Sequence, residues 1–167
     1  MNRGEQENLR KHRISIPYTT YFITKCICNP REEILKIPEA ADIVIDSMIW
    51  LQKSSFIHTG CFVIMPDHFH IVFSLGENRG LSEVIESLSR FTSKKINSLM
   101  ETSGRFWKSG YYDHAVRQNE YLPDIIKYVH DNPVRKGLVC IPEEWKYSTA
   151  NPEYSKLIDR EWFGYLW

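Results

Sequence analysis

The chain has 167 residues, of which 43% are hydrophobic and 13% aromatic, enough for one domain with a substantial core. Its 21 basic side chains balance its 21 acidic ones, so it lacks the overall basic character that is common in nucleic-acid-binding domains. The four cysteines lack C-x-x-C spacing and are too sparse for a disulfide scaffold. No apolar run reaches the roughly 18 residues that a membrane span needs. We therefore expect a cytoplasmic protein with reduced thiols and no membrane association.

Three regions are expected along the chain. Residues 1–17 are mostly polar and predict a flexible N-terminal arm, residues 18–150 predict the main domain, and residues 151–167 predict an aromatic tail that packs on this domain. The arm ends in a local basic cluster that is suited to contact a phosphate backbone. The cations of this cluster that we expect to bind DNA are Arg10, Lys11 and Arg13.

The pattern of apolar residues predicts the secondary structure of the main domain. Runs of β-branched and aromatic residues indicate strands, and apolar residues three or four apart indicate helices. The predicted elements are a strand at 18–28, a helix at 40–53, a hairpin of two strands at 61–75, a helix at 81–100, and a strand with a bend at Gly110 at 106–117. This βαββαβ order predicts an α+β, ferredoxin-like or RRM-like fold, with an antiparallel sheet and helices on one face. We expect the other face to be free for function, nucleic-acid binding included.

The second strand of the hairpin carries the triplet His68-Phe69-His70. Alternate side chains of a strand point to the same face, so the two histidines share one face and Phe69 points to the other, towards the core. Two adjacent imidazoles can bind one metal ion. An H-x-H triplet also arises by chance, so the triplet alone leaves both interpretations open.

A further helix is predicted from Tyr121 to about Asp131 and is expected to end before Pro133, because the residue before a proline disfavours helical geometry. Tyr128 and Asn132 are four residues apart and lie on the same side of such a helix. A tyrosine hydroxyl can act as a covalent nucleophile, and an amide oxygen is a hard ligand for Mg²⁺ or Mn²⁺. A solvent-exposed tyrosine and a helix-capping asparagine would give the same pattern.

Three segments together resemble a known family. The segment at 65–72, MPDHFHIV, resembles the M-P-[ND]-H-x-H-[IVL] motif of the single-tyrosine HUH transposases. The segments at 106–114, FWKSGYYDH, and at 128–139, YVHDNPVRKGLV, resemble motifs of the REP-associated tyrosine transposases, an insertion-sequence-200-like branch. These motifs are [LF]-W-[QK]-x-G-[YF]-x-D-H and Y-I-x-x-N-P-V-[RK]-x-G-[LM]-V. All three segments occur in the family's order within residues 18–150.

The resemblance implies metal-dependent nicking and rejoining of single-stranded DNA at hairpins, either REP-like or at transposon ends, and hence DNA transposition. It implies that Tyr128 is the nucleophile and forms a 5′-phosphotyrosine intermediate. The implied ligands of Mg²⁺ or Mn²⁺ are His68, His70 and Asn132. The proton of the tyrosine could pass to Lys127, to His130 or to a metal-bound water, and the sequence does not distinguish these acceptors.

Further DNA contacts are expected from basic and aromatic side chains outside the arm. The candidates are Lys108, Arg117 and Arg135 for phosphates, and Trp107 or Tyr111 for a stacked base. Two other functions fit the same residues: a catalytically silent nucleic-acid-binding module, and a metal-dependent phosphodiesterase that uses water as its nucleophile. A monomer and a homodimer are both compatible with the sequence.

Overall fold

The structure, a computed structural model, describes residues 15–164. The predicted DNA contacts of Arg10, Lys11 and Arg13 therefore lie outside the described residues. Within residues 15–164, no helix combines the length and the apolar character needed to cross a membrane.

The main domain has the predicted order of elements, including the further helix that was expected after the fourth strand. The elements are β1 (Thr20–Cys26), α1 (Pro38–Lys53), β2 (Ile57–Ile64), β3 (His68–Leu75), α2 (Leu81–Leu99), β4 (Tyr112–Ala115) and α3 (Leu122–Arg135), followed by the short helices α4 (Pro152–Ser155) and α5 (Arg160–Phe163). Single turns of 3₁₀ helix occupy Pro30–Glu32, Ile34–Lys36 and Pro142–Glu144. The predicted hairpin is confirmed, although its first strand begins earlier than expected.

The four strands form one antiparallel sheet in the order β2-β3-β1-β4. This arrangement confirms the predicted α+β, ferredoxin-like fold. One face of the sheet packs against α1 and α2. Buried and half-buried side chains alternate along β1 as the pleat requires, whereas β2 and β3 are buried on both faces. From β3, for example, Phe69, Ile71 and Phe73 enter this core.

Helix α3 covers part of the second face of the sheet, so the expectation that this face is entirely free is wrong. Helix α3 lies over β2 and β3, where Ile126 and Val129 join a buried cluster with Cys61, Val63 and Val72. Apolar residues on both surfaces make this contact favourable, because they leave water together. The exposed portion of this face belongs to β1 and β4.

Helix α3 also continues through Pro133, which the sequence predicted to lie beyond its end. A proline inside a helix lacks an N–H donor and costs about 3 kcal/mol. Here Pro133 is buried, and the backbone bonds resume immediately, from Lys136 N to Asn132 O at 3.1 Å and from Leu138 N to Pro133 O at 2.9 Å. The free energy gained by burying the apolar surface of α3 outweighs the cost of the proline. Asn132 therefore sits inside the helix, one turn after Tyr128.

The predicted strand at 106–117 is regular only in β4. Gly110 adopts a φ of 71°, a left-handed conformation that breaks the strand at the predicted bend. Before this bend, Trp107 forms only an isolated bridge with Ile27. The intervening loop is held by the buried ammonium of Lys25, which donates to the carbonyl oxygens of Lys108 and Gly110 at 2.8 and 2.7 Å.

The segment after α3 runs along the outer edge of β2. Ile64 N donates to Tyr147 O at 2.8 Å, and Thr149 N donates to Phe62 O at 3.0 Å, so this edge of the sheet is paired. Further on, the ring of Phe163 is buried against Gly60, at the end of β2 away from the histidines.

The position of Phe69 behind the histidine pair gives a stability prediction. Its side chain is fully buried, so Phe69→Ala should lower the free energy of unfolding by about 3–5 kcal/mol through lost burial and a residual cavity. The matched control is Phe91→Ala on α2, where the ring is half-exposed and the change should stay within about 0.5 kcal/mol. Urea unfolding followed by circular dichroism measures both values. Equal effects of the two changes would contradict the anchoring role of Phe69.

Candidate active site

The two histidines of β3 converge on one point of the sheet's second face. The Nε2 atoms of His68 and His70 are 3.2 Å apart, and the ring centroids are separated by 4.7 Å. Phe69 points the opposite way, where its ring meets Trp107 edge to face at 5.4 Å. The strand is therefore fixed from behind while its two imidazoles face one another.

The other ring nitrogen of each histidine has a partner that orients the imidazole. His68 Nδ1 lies 2.6 Å from Asp67 Oδ1 and, since a carboxylate only accepts, His68 donates this bond from Nδ1. In neutral His68 the Nε2 lone pair then points towards His70. His70 Nδ1 lies 2.8 Å from the hydroxyl of Thr24, which is its partner in the β1–β3 register. Such outer contacts typically hold histidine ligands of metal ions in place.

The environment keeps His70 uncharged. Burial, reinforced by the neighbouring His68, lowers the pKa of His70 to about 3, although a hydrogen bond with Asn132 and the charge of Asp67 oppose the shift. A neutral imidazole is the form that binds a metal ion. His70 is therefore in its ligand form at neutral pH.

Helix α3 brings the second half of the site to the histidines. The ring of Tyr128 is 40% exposed, lies 5.8 Å from the ring of His70, and meets Phe22 edge to face at 6.0 Å. The guanidinium carbon of Arg135 lies 5.0 Å from the centre of the Tyr128 ring. Asn132 is buried beside His70, and its amide nitrogen donates to the carbonyl of Tyr128 at 3.2 Å. The histidine strand and the tyrosine helix thus meet within one chain.

The side chains at this point suit a divalent cation. Two imidazole nitrogens converge, and the side-chain oxygen of Asn132 can supply a hard donor next to them. Within residues 15–164, no group of three or more His, Cys, Asp or Glu residues is arranged to hold a metal ion. A cation here would rely on the two imidazoles and on the amide oxygen of Asn132.

The two side chains predicted as acceptors of the Tyr128 proton, Lys127 and His130, each have another partner. Lys127 forms an ion pair with Asp131 on the exposed side of α3. His130 Nε2 lies 2.9 Å from Thr149 Oγ1 in the C-terminal segment, and burial lowers its pKa to about 4.

The predicted DNA contacts differ in their accessibility. Lys108, Arg117 and Arg135 are all exposed, and Arg135 lies directly beside Tyr128. Trp107 is only 4% exposed, and its Nε1 donates to Thr92 Oγ1 at 2.8 Å inside the core. Its burial leaves no ring face for a base, and the predicted stacking role of Trp107 does not fit this structure.

Several residues near the site have no counterpart among the predictions. Thr24 and Phe22 on β1 and Tyr112 on β4 share the face that carries His70, and Asp67 immediately precedes the histidine strand. Strand alternation places Tyr112 on the same face as His114. The proximity of Thr24 to His70 depends on strand pairing between distant segments, which the sequence does not display.

Comparison with known proteins identifies the family. Residues 23–132 match the family described as "Transposase IS200 like". The chain belongs to this family. The matched residues extend from β1 to Asn132 and include His68, His70 and Tyr128, and the predicted relationship to single-tyrosine transposases is confirmed.

The matched relatives are REP-associated tyrosine transposases. The Escherichia coli protein of that name is 22% identical over 146 residues, which cover 87% of this chain and 85% of the relative. The Haemophilus influenzae "Putative REP-associated tyrosine transposase" is also 22% identical, over 64% of this chain, and the match spans only 66% of that relative. A solved REP-associated tyrosine transposase bound to a REP hairpin has the same fold, with a TM-score of 0.67, 22% identity, and coverage of 83% of this chain and 80% of that one.

The orienting contacts of the histidines predict a change in metal affinity. Asp67→Ala and Thr24→Val remove the partners of His68 and His70 and leave both Nε2 atoms in place, so each should weaken Mn²⁺ binding by about 10- to 100-fold. Titration of free Mn²⁺ by electron paramagnetic resonance measures the affinity. Asp46→Asn on α1, an exposed carboxylate on the other side of the sheet, is the control and should bind like the parent protein. Unchanged affinity in both site variants would contradict the orienting role.

Proposed function

We propose that this protein nicks and rejoins single-stranded DNA beside a hairpin, with Tyr128 as the covalent nucleophile. The observation that carries the proposal is the meeting of an exposed tyrosine with a converging histidine pair in one chain: the Tyr128 and His70 rings lie 5.8 Å apart. The proposed cofactor is Mg²⁺ or Mn²⁺, held by the side chains of His68, His70 and Asn132.

Each side chain has a defined part in the proposed reaction. Tyr128 Oη attacks the scissile phosphorus in line, so that a P–Oη bond forms and the P–O3′ bond breaks. The phenolic proton is lost, the departing 3′ oxygen gains a proton, and the 5′ phosphate stays linked to the enzyme. A bound divalent cation would polarise the phosphate and offset the charge that develops on it. Arg135 lies beside the tyrosine ring, where its charge can balance the phosphodiester.

Rejoining is the reverse of the first step. The 3′ hydroxyl of another strand attacks the phosphotyrosine, and Tyr128 Oη leaves and regains a proton. The covalent link preserves the energy of the broken phosphodiester bond, so no nucleoside triphosphate is consumed. Water is not a reactant in either step. This distinguishes the proposal from a hydrolytic phosphodiesterase.

We further propose that the substrate contains a hairpin, either REP-like or at a transposon end, and that the outcome is DNA transposition. Support comes from the family match and from the names of the relatives. The chain has no net charge, but exposed cations near the open part of the sheet can contact a DNA strand there. These cations are Lys108, Arg117 and Arg135. Such a substrate, together with free thiols at all four cysteines, agrees with the expected cytoplasmic location.

The decisive test is a covalent adduct. Purified protein is incubated with end-labelled single strands that carry hairpins with unpaired flanks, with Mn²⁺, with Mg²⁺ or with EDTA, and separated on a denaturing gel. We expect a metal-dependent adduct with the parent protein and, because the nucleophile is removed, a loss of about 1000-fold or more for Tyr128→Phe. Tyr121→Phe, a second exposed tyrosine outside the site, is the control and should form the adduct normally.

The competing functions give different results in the same assay. Hairpin binding without any adduct in either metal would support a silent DNA-binding module. Multiple turnover that persists in the Tyr128→Phe protein would support hydrolysis by water. Either result would overturn the proposed phosphotyrosine mechanism.

A further inference from the structure

One aromatic side chain near the site has no part in the chemistry described so far. Tyr112, the first residue of β4, is 57% exposed. In the strand registers it lies opposite Thr24, which in turn lies opposite His70. The three residues form one row across β4, β1 and β3, and adjacent strands are about 4.8 Å apart. The backbone of Tyr112 is thus about 10 Å from that of His70, on the same face of the sheet.

Phe22 connects Tyr112 with the nucleophile. Its half-buried ring lies 6.0 Å from the ring of Tyr112 and 6.0 Å from the ring of Tyr128, with interplanar angles of 67° and 89°. The ring of His70 lies 5.3 Å from the same phenylalanine. The exposed aromatic surface therefore continues from Tyr128 across Phe22 to Tyr112, on the part of the sheet that α3 leaves uncovered.

We propose that Tyr112 stacks on an unpaired base of the DNA strand, within a few nucleotides of the phosphate that Tyr128 attacks. The inference rests on the proposed function, which places a single strand at Tyr128. A strand whose phosphate lies at the histidines must continue over adjacent protein surface, and β1 and β4 provide the open surface next to the tyrosine. Aromatic rings on an exposed sheet are a common platform for unpaired bases.

Two consecutive tyrosines occur at this point of the chain, and their rings have different surroundings. In FWKSGYYDH, Tyr111 matches the aromatic position of the family motif, and Tyr112 occupies the position that the motif leaves unspecified. Tyr111 is turned to the other side of the strand, where its hydroxyl lies 3.4 Å from that of Ser82 on α2. Trp107 is buried and Tyr111 is half-buried, so Tyr112 has the most accessible of the three rings.

The proposal is tested with binding measurements that need no cleavage. Hairpins with an unpaired tail carry one 2-aminopurine, moved along the tail position by position, and are bound in EDTA to the Tyr128→Phe protein. Stacking on an aromatic ring quenches the probe. We expect strong quenching at one or two adjacent positions, its loss in a second variant with Tyr112→Ala, and an affinity about fivefold or more lower in that variant. Tyr112→Phe keeps the ring and should retain both signals.

Two controls make the outcome decisive. Tyr121→Ala removes a ring that is 68% exposed and lies outside the sheet, and should change neither quenching nor affinity. Thermal unfolding of the Tyr112→Ala protein checks that the fold is intact. Unchanged quenching without the Tyr112 ring, or no binding of the tails by the Tyr128→Phe protein that retains Tyr112, would overturn the proposal.

The adduct assay separates this inference from the proposed function. If adducts form, the quenched base should lie within a few nucleotides of the linked phosphate, and a more distant position would overturn the inference. Quenching that depends on Tyr112 in a protein that forms no adduct would overturn the phosphotyrosine mechanism and leave the base-binding site in place. Adducts with no quenching that depends on Tyr112 would overturn the base-binding site and leave the mechanism in place.

Discussion

The site depends on the apolar contact between α3 and the second face of the sheet. Ile126 and Val129 are buried against side chains of β2 and β3, and on the same helix Tyr128 and Asn132 face the histidines. A helix rotated by one residue would turn by about 100°, so the apolar surface of α3 sets the direction of the Tyr128 ring as well as its position. This packing, together with the hydrogen bond between Asn132 and His70, determines where Tyr128 lies.

The histidine pair is fixed from three directions. Phe69 anchors β3 in the core behind it, while Asp67 and Thr24 bind the outer ring nitrogens. The Nε2 atoms of the two imidazoles are 3.2 Å apart, a geometry that suits a cation or a shared proton between them. The neutral state of His70 follows from the same burial that fixes its geometry. Structural rigidity and suitability for metal binding therefore have a common origin.

Much of this arrangement follows from local sequence patterns. The periodicity of apolar residues is sufficient to predict the βαββαβ order. Strand alternation is sufficient to predict that His68 and His70 share one face. The errors arose where long-range packing outweighs a local rule: α3 continues through Pro133 because its apolar surface is buried. A tryptophan can fill a core or stack on a base, and the sequence does not distinguish these two roles. Only the burial of Trp107 in the structure shows that it belongs to the core. The row that links Tyr112 to His70 depends on strand pairing, which a single sequence does not encode locally.

The strand pairing between β2 and the 147–149 segment affects how many molecules a complete reaction would require. It pairs one edge of the sheet, and among residues 15–164 the opposite edge is β4, which is only four residues long. All the proposed catalytic groups already belong to one chain. In the proposed mechanism each molecule has one nucleophilic tyrosine and therefore retains one DNA end at a time. Under the proposed mechanism, processing both ends of a mobile segment would therefore take two independent molecules or two successive cycles of one.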